Sequence, residues 1–193
     1  HKLVLRQGTL LDATLVAAQA AKQKSDEAGK SNVSKADPDA AWTRKYGKAH
    51  FGYQAHVGVD EGSYLIRTAQ LRPANINESA VADELICGDE QAVYADKAYE
   101  NKHRRQRLKA LGIKDRIMHR SHKHQLVLPR WQQMRNELIK PIRRKVEHVF
   151  GTLKRSYRYT RVRFYSLSTN AADLCLLAIA YNLRRARVLL ANA

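Results

Sequence analysis

Residues 91–113 read QAVYADKAYENKHRRQRLKALGI, and this stretch decides the fold class. Its first six residues are a short apolar run ending in Asp96, the length and composition of a buried strand. A strongly basic helical segment, residues 101–111, follows and stops at Gly112, because glycine takes the left-handed turn after a helix at little steric cost. A further strand is expected over residues 113–119. Strand, helix and strand in so short a span point to an α/β sheet rather than to a helical bundle or a sandwich.

Upstream, residues 8–17, GTLLDATLVA, set Leu, Thr and Val around one acid and read as a buried strand ending near Asp12. Residues 22–48 are rich in Ala, Lys, Ser, Asp and Gly and read as a flexible, solvated insertion. Residues 51–60, FGYQAHVGVD, and 64–71, YLIRTAQL, are joined by Glu61-Gly62 and form a hairpin. Asn77 caps a helix over ESAVADELIC, which Gly88 ends. Downstream, residues 129–157 are helical with Pro141 as the point of kink or restart, and a last helix covers residues 171–191. The expectation is one α/β domain over residues 1–193, a mixed five-stranded sheet flanked by helices.

Composition narrows the partner. Against 18 Asp and Glu stand 35 Lys and Arg, a formal net charge of +17, so the natural partner is a polyanion. The longest apolar runs fall short of the ~20 residues that span a bilayer and no secretory signal is read, so no membrane partner is expected. The two cysteines, Cys87 and Cys175, lie in apolar helical patterns without a C-x-x-C pair and are expected as buried free thiols in a reducing cytoplasm. No glycine-rich phosphate loop supports nucleotide chemistry. The chain starts at His1, which reads as a piece cut from a longer polypeptide.

The acids carry the chemistry. Cutting or joining a phosphodiester without a covalent enzyme intermediate calls for divalent ions held by hard oxygen ligands from separate elements. Asp12 and Asp96 each sit at an apolar strand, where an acid is costly unless paired or bound to a cation; the alternative for each is a turn or cap role. In residues 142–157, IRRKVEHVFGTLKRSY, the apolar stripe of Ile142, Val146, Val149, Phe150, Leu153 and Tyr157 is bordered by Glu147. Arg143, Glu147 and Lys154 fall within roughly 40° of one helix face, a carboxylate between two cations. Read alone, such a helix is equally an exposed one laced with i,i+4 ion pairs. Asp60 rivals Asp12 for the first position but precedes a turn, and His119, His122 and His124 lack zinc-ligand spacing. Lys102, Arg104, Arg105 and Arg155 are candidates for tracking a DNA backbone. Trp131 and most tyrosines are assigned to packing.

At these residues the chain resembles insertion-sequence transposases of the DDE class, the large IS-five and IS-four-like group with an RNase H-like core. The blocks are LLDATLV, HFGYQAHVGVD followed by PANINE, VYADKAYENKHRRQRLKALGI, and RRKVEHVFGTLKR with AADLCLLAIAYNLRR behind it. The resemblance implies a catalytic and metal-ligating triad of Asp12, Asp96 and Glu147 holding two Mg²⁺ ions, with Mn²⁺ as substitute. Arg143 and Lys154 match the family's phosphate-positioning cations. Lys140 stands where the family has a tyrosine, whose role is then either lost or supplied by Tyr157 or Tyr159. Implied too are cleavage of double-stranded DNA at terminal inverted repeats, transfer of the freed 3′-hydroxyl into target DNA, and a homodimer or higher oligomer in a synaptic complex. An N-terminal DNA-binding region expected before the first acid is absent from this chain, and a bacterial cytoplasmic, nucleoid-associated site of action is expected. The rivals are a catalytically inactive DNA-binding remnant and a general RNase H-like nuclease.

Overall fold

The computed structural model describes residues 3–19, 37–45, 47–121 and 126–191. In chain order the described residues form β1 (Thr9–Ala17), β2 (Ala41–Lys45), β3 (Lys48–Asp60), β4 (Ile66–Pro73), α1 (Glu78–Leu85), β5 (Ala92–Ala95), a 3₁₀ turn (Lys97–Tyr99), α2 (Lys102–Ala110), β6 (Lys114–Ile117), α3 (Arg130–Arg143), α4 (Val146–Arg155) and α5 (Leu167–Ala191).

The strands make one mixed sheet in the order β2-β3-β1-β5-β6, with β4 also paired to β3. β1, β2 and β4 each run antiparallel to β3, whereas β5 is parallel to both β1 and β6. An antiparallel meander leading into parallel strands, with helices on both faces, is the RNase H-like arrangement. Among the described residues six strands are present where the sequence suggests five. The extra one, β2, lies within residues 22–48, the expected flexible insertion; the rest of that stretch falls largely outside the described residues. β2 forms because β3 starts at Lys48 and offers backbone partners from Lys48 to Gly52, a long-range opportunity invisible in the local pattern AWTRK.

β1 is apolar on both pleats because it is central. Leu10 and Val16 face one cluster with Tyr53, Ala55, Val57 and Val59 of β3, Val149 and Leu153 of α4, and Leu174 of α5. Leu11 faces the other, with Leu85 of α1, Val93 and Ala95 of β5, Leu108 of α2 and Ile117 of β6. Successive side chains point to opposite faces of a strand, so β1 fixes the positions of the helices above and below it. Each buried leucine contributes roughly 1.5–3 kcal/mol.

The helix ends follow local rules. Asn77 and Asn101 cap α1 and α2 through their side chains, to the amides of Ser79, and of His103 and Arg104. Gly58 lets α1 sit low on the sheet: a Cβ there would meet Thr68 Oγ1 at 2.4 Å and the Leu85 carbonyl at 2.9 Å. Pro141 lies inside the last turn of α3, and the helix restarts as α4 beyond Arg144 and Lys145. The junction is tightened into 3₁₀ geometry, with Glu147 N–H donating to the Arg144 carbonyl and His148 N–H to that of Lys145. That restart re-aims α4 and with it Glu147.

Two expectations about burial are corrected. Cys87 and Cys175 are free thiols but exposed, because Cys87 follows the end of α1 and Cys175 is turned about 100° around α5 from the buried Leu174. Trp131 is 59% exposed, touching the His119 ring edge-on at 5.3 Å. Among the described residues no helix is long and apolar enough to cross a membrane.

Candidate active site

β1 and β5 pair over only two positions, Thr9 with Val93 and Leu10 with Tyr94. Two residues further along each strand stand Asp12 and Asp96, so both acids face the gap that opens where the strands part. Asp12 is therefore inside β1, not at its end as the sequence suggested. The strand continues to Ala17 through its antiparallel pairing with β3. Asp96 directly follows β5 and caps the 3₁₀ turn, its carboxylate accepting from Ala98 N–H.

The gap is a cleft of about 490 Å³ lined by Asp12, Glu78, Asp96, Arg143, Glu147 and Lys154, with Lys45 and His50 at its rim. α4 reaches it over the face that carries Leu10 and Val57, pinned by Val146, Val149 and Leu153. Arg143 bridges the acids, with Nη1 donating to Asp12 Oδ2 and Nη2 to Glu147 Oε1, each at 3.1 Å. The five residues read from the sequence as triad and phosphate cations thus share one cavity. Glu147 is the most open of the acids, its side chain 55% exposed against 17% for Asp12.

Burial pushes the Asp12 carboxyl up to about 6, against the pull of the Arg143 guanidinium and the Ala13 amide; Glu78 and Asp96 add to the rise. Removing a carboxylate from water disfavours its charged form, and neighbouring acids do the same. The Lys154 ammonium is lowered by burial and by Lys45 beside it. Beneath the cleft the Tyr99 hydroxyl is buried with no hydrogen-bond partner among the described residues, and burial with the charges of Glu78, Asp12 and Asp96 raises it well above its ordinary value. A desolvated, crowded set of carboxylates over an unpartnered hydroxyl is short of positive charge.

Glu78 was missed by sequence reasoning as a site residue. Its Oε1 accepts from Gln54 Nε2 at 2.7 Å and from Lys45 Nζ at 3.4 Å. The available signal was its place in PANINE, but an acid in the first turn after an asparagine cap has a sufficient local explanation in the helix dipole.

The profile described as "Transposase DDE domain" matches residues 5–183. The chain belongs to the DDE transposase family. It is 32% identical to the protein named "Transposase for insertion sequence element IS1106" from Neisseria meningitidis serogroup B, over 96% of this chain and 67% of that relative.

Other charged residues of this DDE domain are placed elsewhere. Arg104 is buried, and all its donors are occupied: Nε and Nη2 by Asp83, Nη1 by Ser79 Oγ and the Tyr99 carbonyl, Nη2 also by the Ser79 carbonyl. It ties α2 to α1 and has no donor left for a phosphate, a correction to the sequence expectation. Arg105 is held by Asp115 and Glu100. Lys102 and Arg155 are exposed and lie outside the cleft lining, Arg155 donating to the Gly151 carbonyl. Asp60 is fully buried, accepting from the amides of Leu5 and Arg6 and from Ser63 Oγ, which is the work of a turn anchor. His119 packs among Arg105, Glu100 and Asn136; His122 and His124 lie outside the described residues. Lys140 pairs on the surface with Glu137, Tyr159 is buried, and neither tyrosine offered as its substitute lines the cleft.

Proposed function

We propose that this DDE domain cleaves insertion-sequence ends and joins the freed 3′-hydroxyl to target DNA, with Asp12, Asp96 and Glu147 as the metal ligands. The observation that carries the reading is the single cleft lined by these three acids together with Arg143 and Lys154. Their chemistry fits a hard divalent cation, because carboxylate oxygens are what Mg²⁺ or Mn²⁺ selects. Among the described residues no three acids, histidines or cysteines stand close enough to hold an ion as they are, since Arg143 occupies the space between Asp12 and Glu147. The guanidinium supplies there the positive charge that the carboxylates require.

When bound, a pair of divalent ions would sharpen the attacking oxygen and neutralise the leaving one. The protein's own part is orientation. Asp12 and Asp96 come from the rigid centre of the sheet and fix one wall of the cleft. Glu147 comes from α4 as the opposite, more solvent-exposed wall. Once Arg143 is released from Asp12, its planar fork suits a phosphate, which it can grip through two parallel hydrogen bonds. Lys154, half-buried and poorly solvated, adds a point charge on the same side. Both the cut and the joining are in-line transfers at phosphorus, so one set of positioned groups serves each.

Asp96→Asn preserves shape and removes the charge. In a Mg²⁺- or Mn²⁺-dependent nicking and strand-transfer assay with the complete transposase, the variant is expected to lose at least about a thousandfold in rate, the scale of several kcal/mol of lost transition-state stabilisation. A folded Asp96→Asn protein joining DNA at the parental rate overturns the assignment.

A further inference from the structure

Behind α4, on the side away from the carboxylates, lies a second cavity of about 520 Å³ between α4, α5 and the turn joining β3 to β4. Its lining includes Tyr64, Lys145, His148, Thr152, Tyr181, Arg184 and Arg185, and no acid lines it. With 100° per residue, Lys145, His148 and Thr152 lie about 100° to 160° around the α4 axis from Glu147, whereas Lys154 lies within about 20° of it. The two cavities are therefore on opposite faces of one helix.

We propose that this groove is a second DNA-backbone site, one that grips duplex DNA away from the scissile phosphate. Three observations converge on it. Lys145, Arg184 and Arg185 have no ion-pair partner among the described residues, unlike Arg104, Arg105 and Arg107 of α2. Arg185 is pre-positioned: its Nε donates to the Ser63 carbonyl at 2.8 Å and its guanidinium lies 5.4 Å from the centre of the Tyr64 ring. Those contacts leave its two terminal nitrogens without a partner among the described residues. Tyr64 itself holds φ at 60°, a left-handed conformation that is strained for a bulky residue and persists only where the surroundings enforce it. The strained turn thus presents an aromatic ring and a fixed guanidinium to the groove.

Duplex DNA is favoured over a second copy of the chain. Phosphodiester oxygens are acceptors only and suit a lining of three permanent cations and a hydroxyl. A second copy of the chain carries the same excess positive charge, +17 overall, and would be repelled from a cationic groove. The choice of DNA rests on the transposase reading; the geometry of the groove does not.

The test is binding, independent of catalysis. Association of the complete transposase with a random-sequence duplex is measured against salt concentration for the parent and for Lys145→Gln/Arg184→Gln/Arg185→Gln. Each lost phosphate contact lowers the slope of log K against log salt by about 0.9, so the triple variant is expected to fall by about 2.7. Arg184 is exposed and makes no hydrogen bond or ion pair among the described residues, so Arg184→Gln alone, with an unchanged melting curve, reports the same effect at about 0.9. An unchanged slope in the folded single and triple variants overturns the proposal, whether or not the protein cleaves. So does protection of the groove's amides from hydrogen exchange by a free mononucleotide while the variants' duplex slope stays at the parental value. Loss of slope with intact chemistry in Asp12-containing protein keeps this site distinct from the metal cleft.

Discussion

The two faces of α4 carry charge in opposite ways. On the cleft face, acids and cations are interleaved: Asp12, Arg143 and Glu147 form a continuous chain, and Lys45 reaches Glu78. On the rear face, Lys145, Arg184 and Arg185 gather around Tyr64 with no acid in the lining. A matched set is able to exchange its internal cation for an external one, and an unmatched set is able only to attract anions. The same helix thus separates a site that reorganises charge from one that merely holds it.

Disrupting α4 should damage both faces together. Leu153 is 1% exposed and packs in the cluster beneath the helix, so Leu153→Ala is expected to cost about 2–5 kcal/mol by denaturant titration. If stability falls but only one face loses DNA contact, the shared support is wrong. Arg104→Gln should come next, at about 3 kcal/mol, since it leaves Asp83 and two backbone carbonyls short of a donor. Its salt slope for DNA binding should match the parent; a lower slope would mean that Arg104 does reach phosphate, against its burial.

The smallest effect bears on the cleft alone. Asp12 has a folded value near 6, above its ordinary 3.8, so the native state binds more protons than the unfolded chain between those values. Stability in the absence of divalent ions should therefore fall as pH rises through that window and stay low above it. Asp12→Asn removes the fall: well above pH 6 the variant should be more stable by about 1–3 kcal/mol, and below the ordinary carboxylate value the two should coincide. Matched denaturation curves at both pH extremes check this; a variant less stable than the parent above pH 6 would show that the Arg143 contact outweighs burial.

Much of the architecture was legible because it is local. Apolar runs and alternation located β1, β3, β4 and β5, an asparagine cap and a terminal glycine located α1, and a terminal glycine ended α2. β2 was not legible, since AWTRK becomes a strand only through the extended edge of β3. The position of α4 was half legible: Pro141 marked the break, while the direction of the restart depends on where Val146, Val149 and Leu153 find the sheet. In the site, the types and spacing of Arg143, Glu147 and Lys154 were in the sequence, and so was their family resemblance; Glu78 was masked by its adequate role at a helix start.

What the sequence by itself determined is the set of elements, the excess of cations and the acids worth attention, because periodicity, capping and net charge act over a few residues or over the whole chain. What only the tertiary structure decided is which charges meet. Arg104 and Asp83 are 21 residues apart and Arg143 and Asp12 are 131 apart, and no local pattern selects such partners. The early parting of β5 from β1 opens the cleft, and the packing of α5 beside α4 gathers the rear cations. Each depends on long-range contacts that exist only once the sheet is formed.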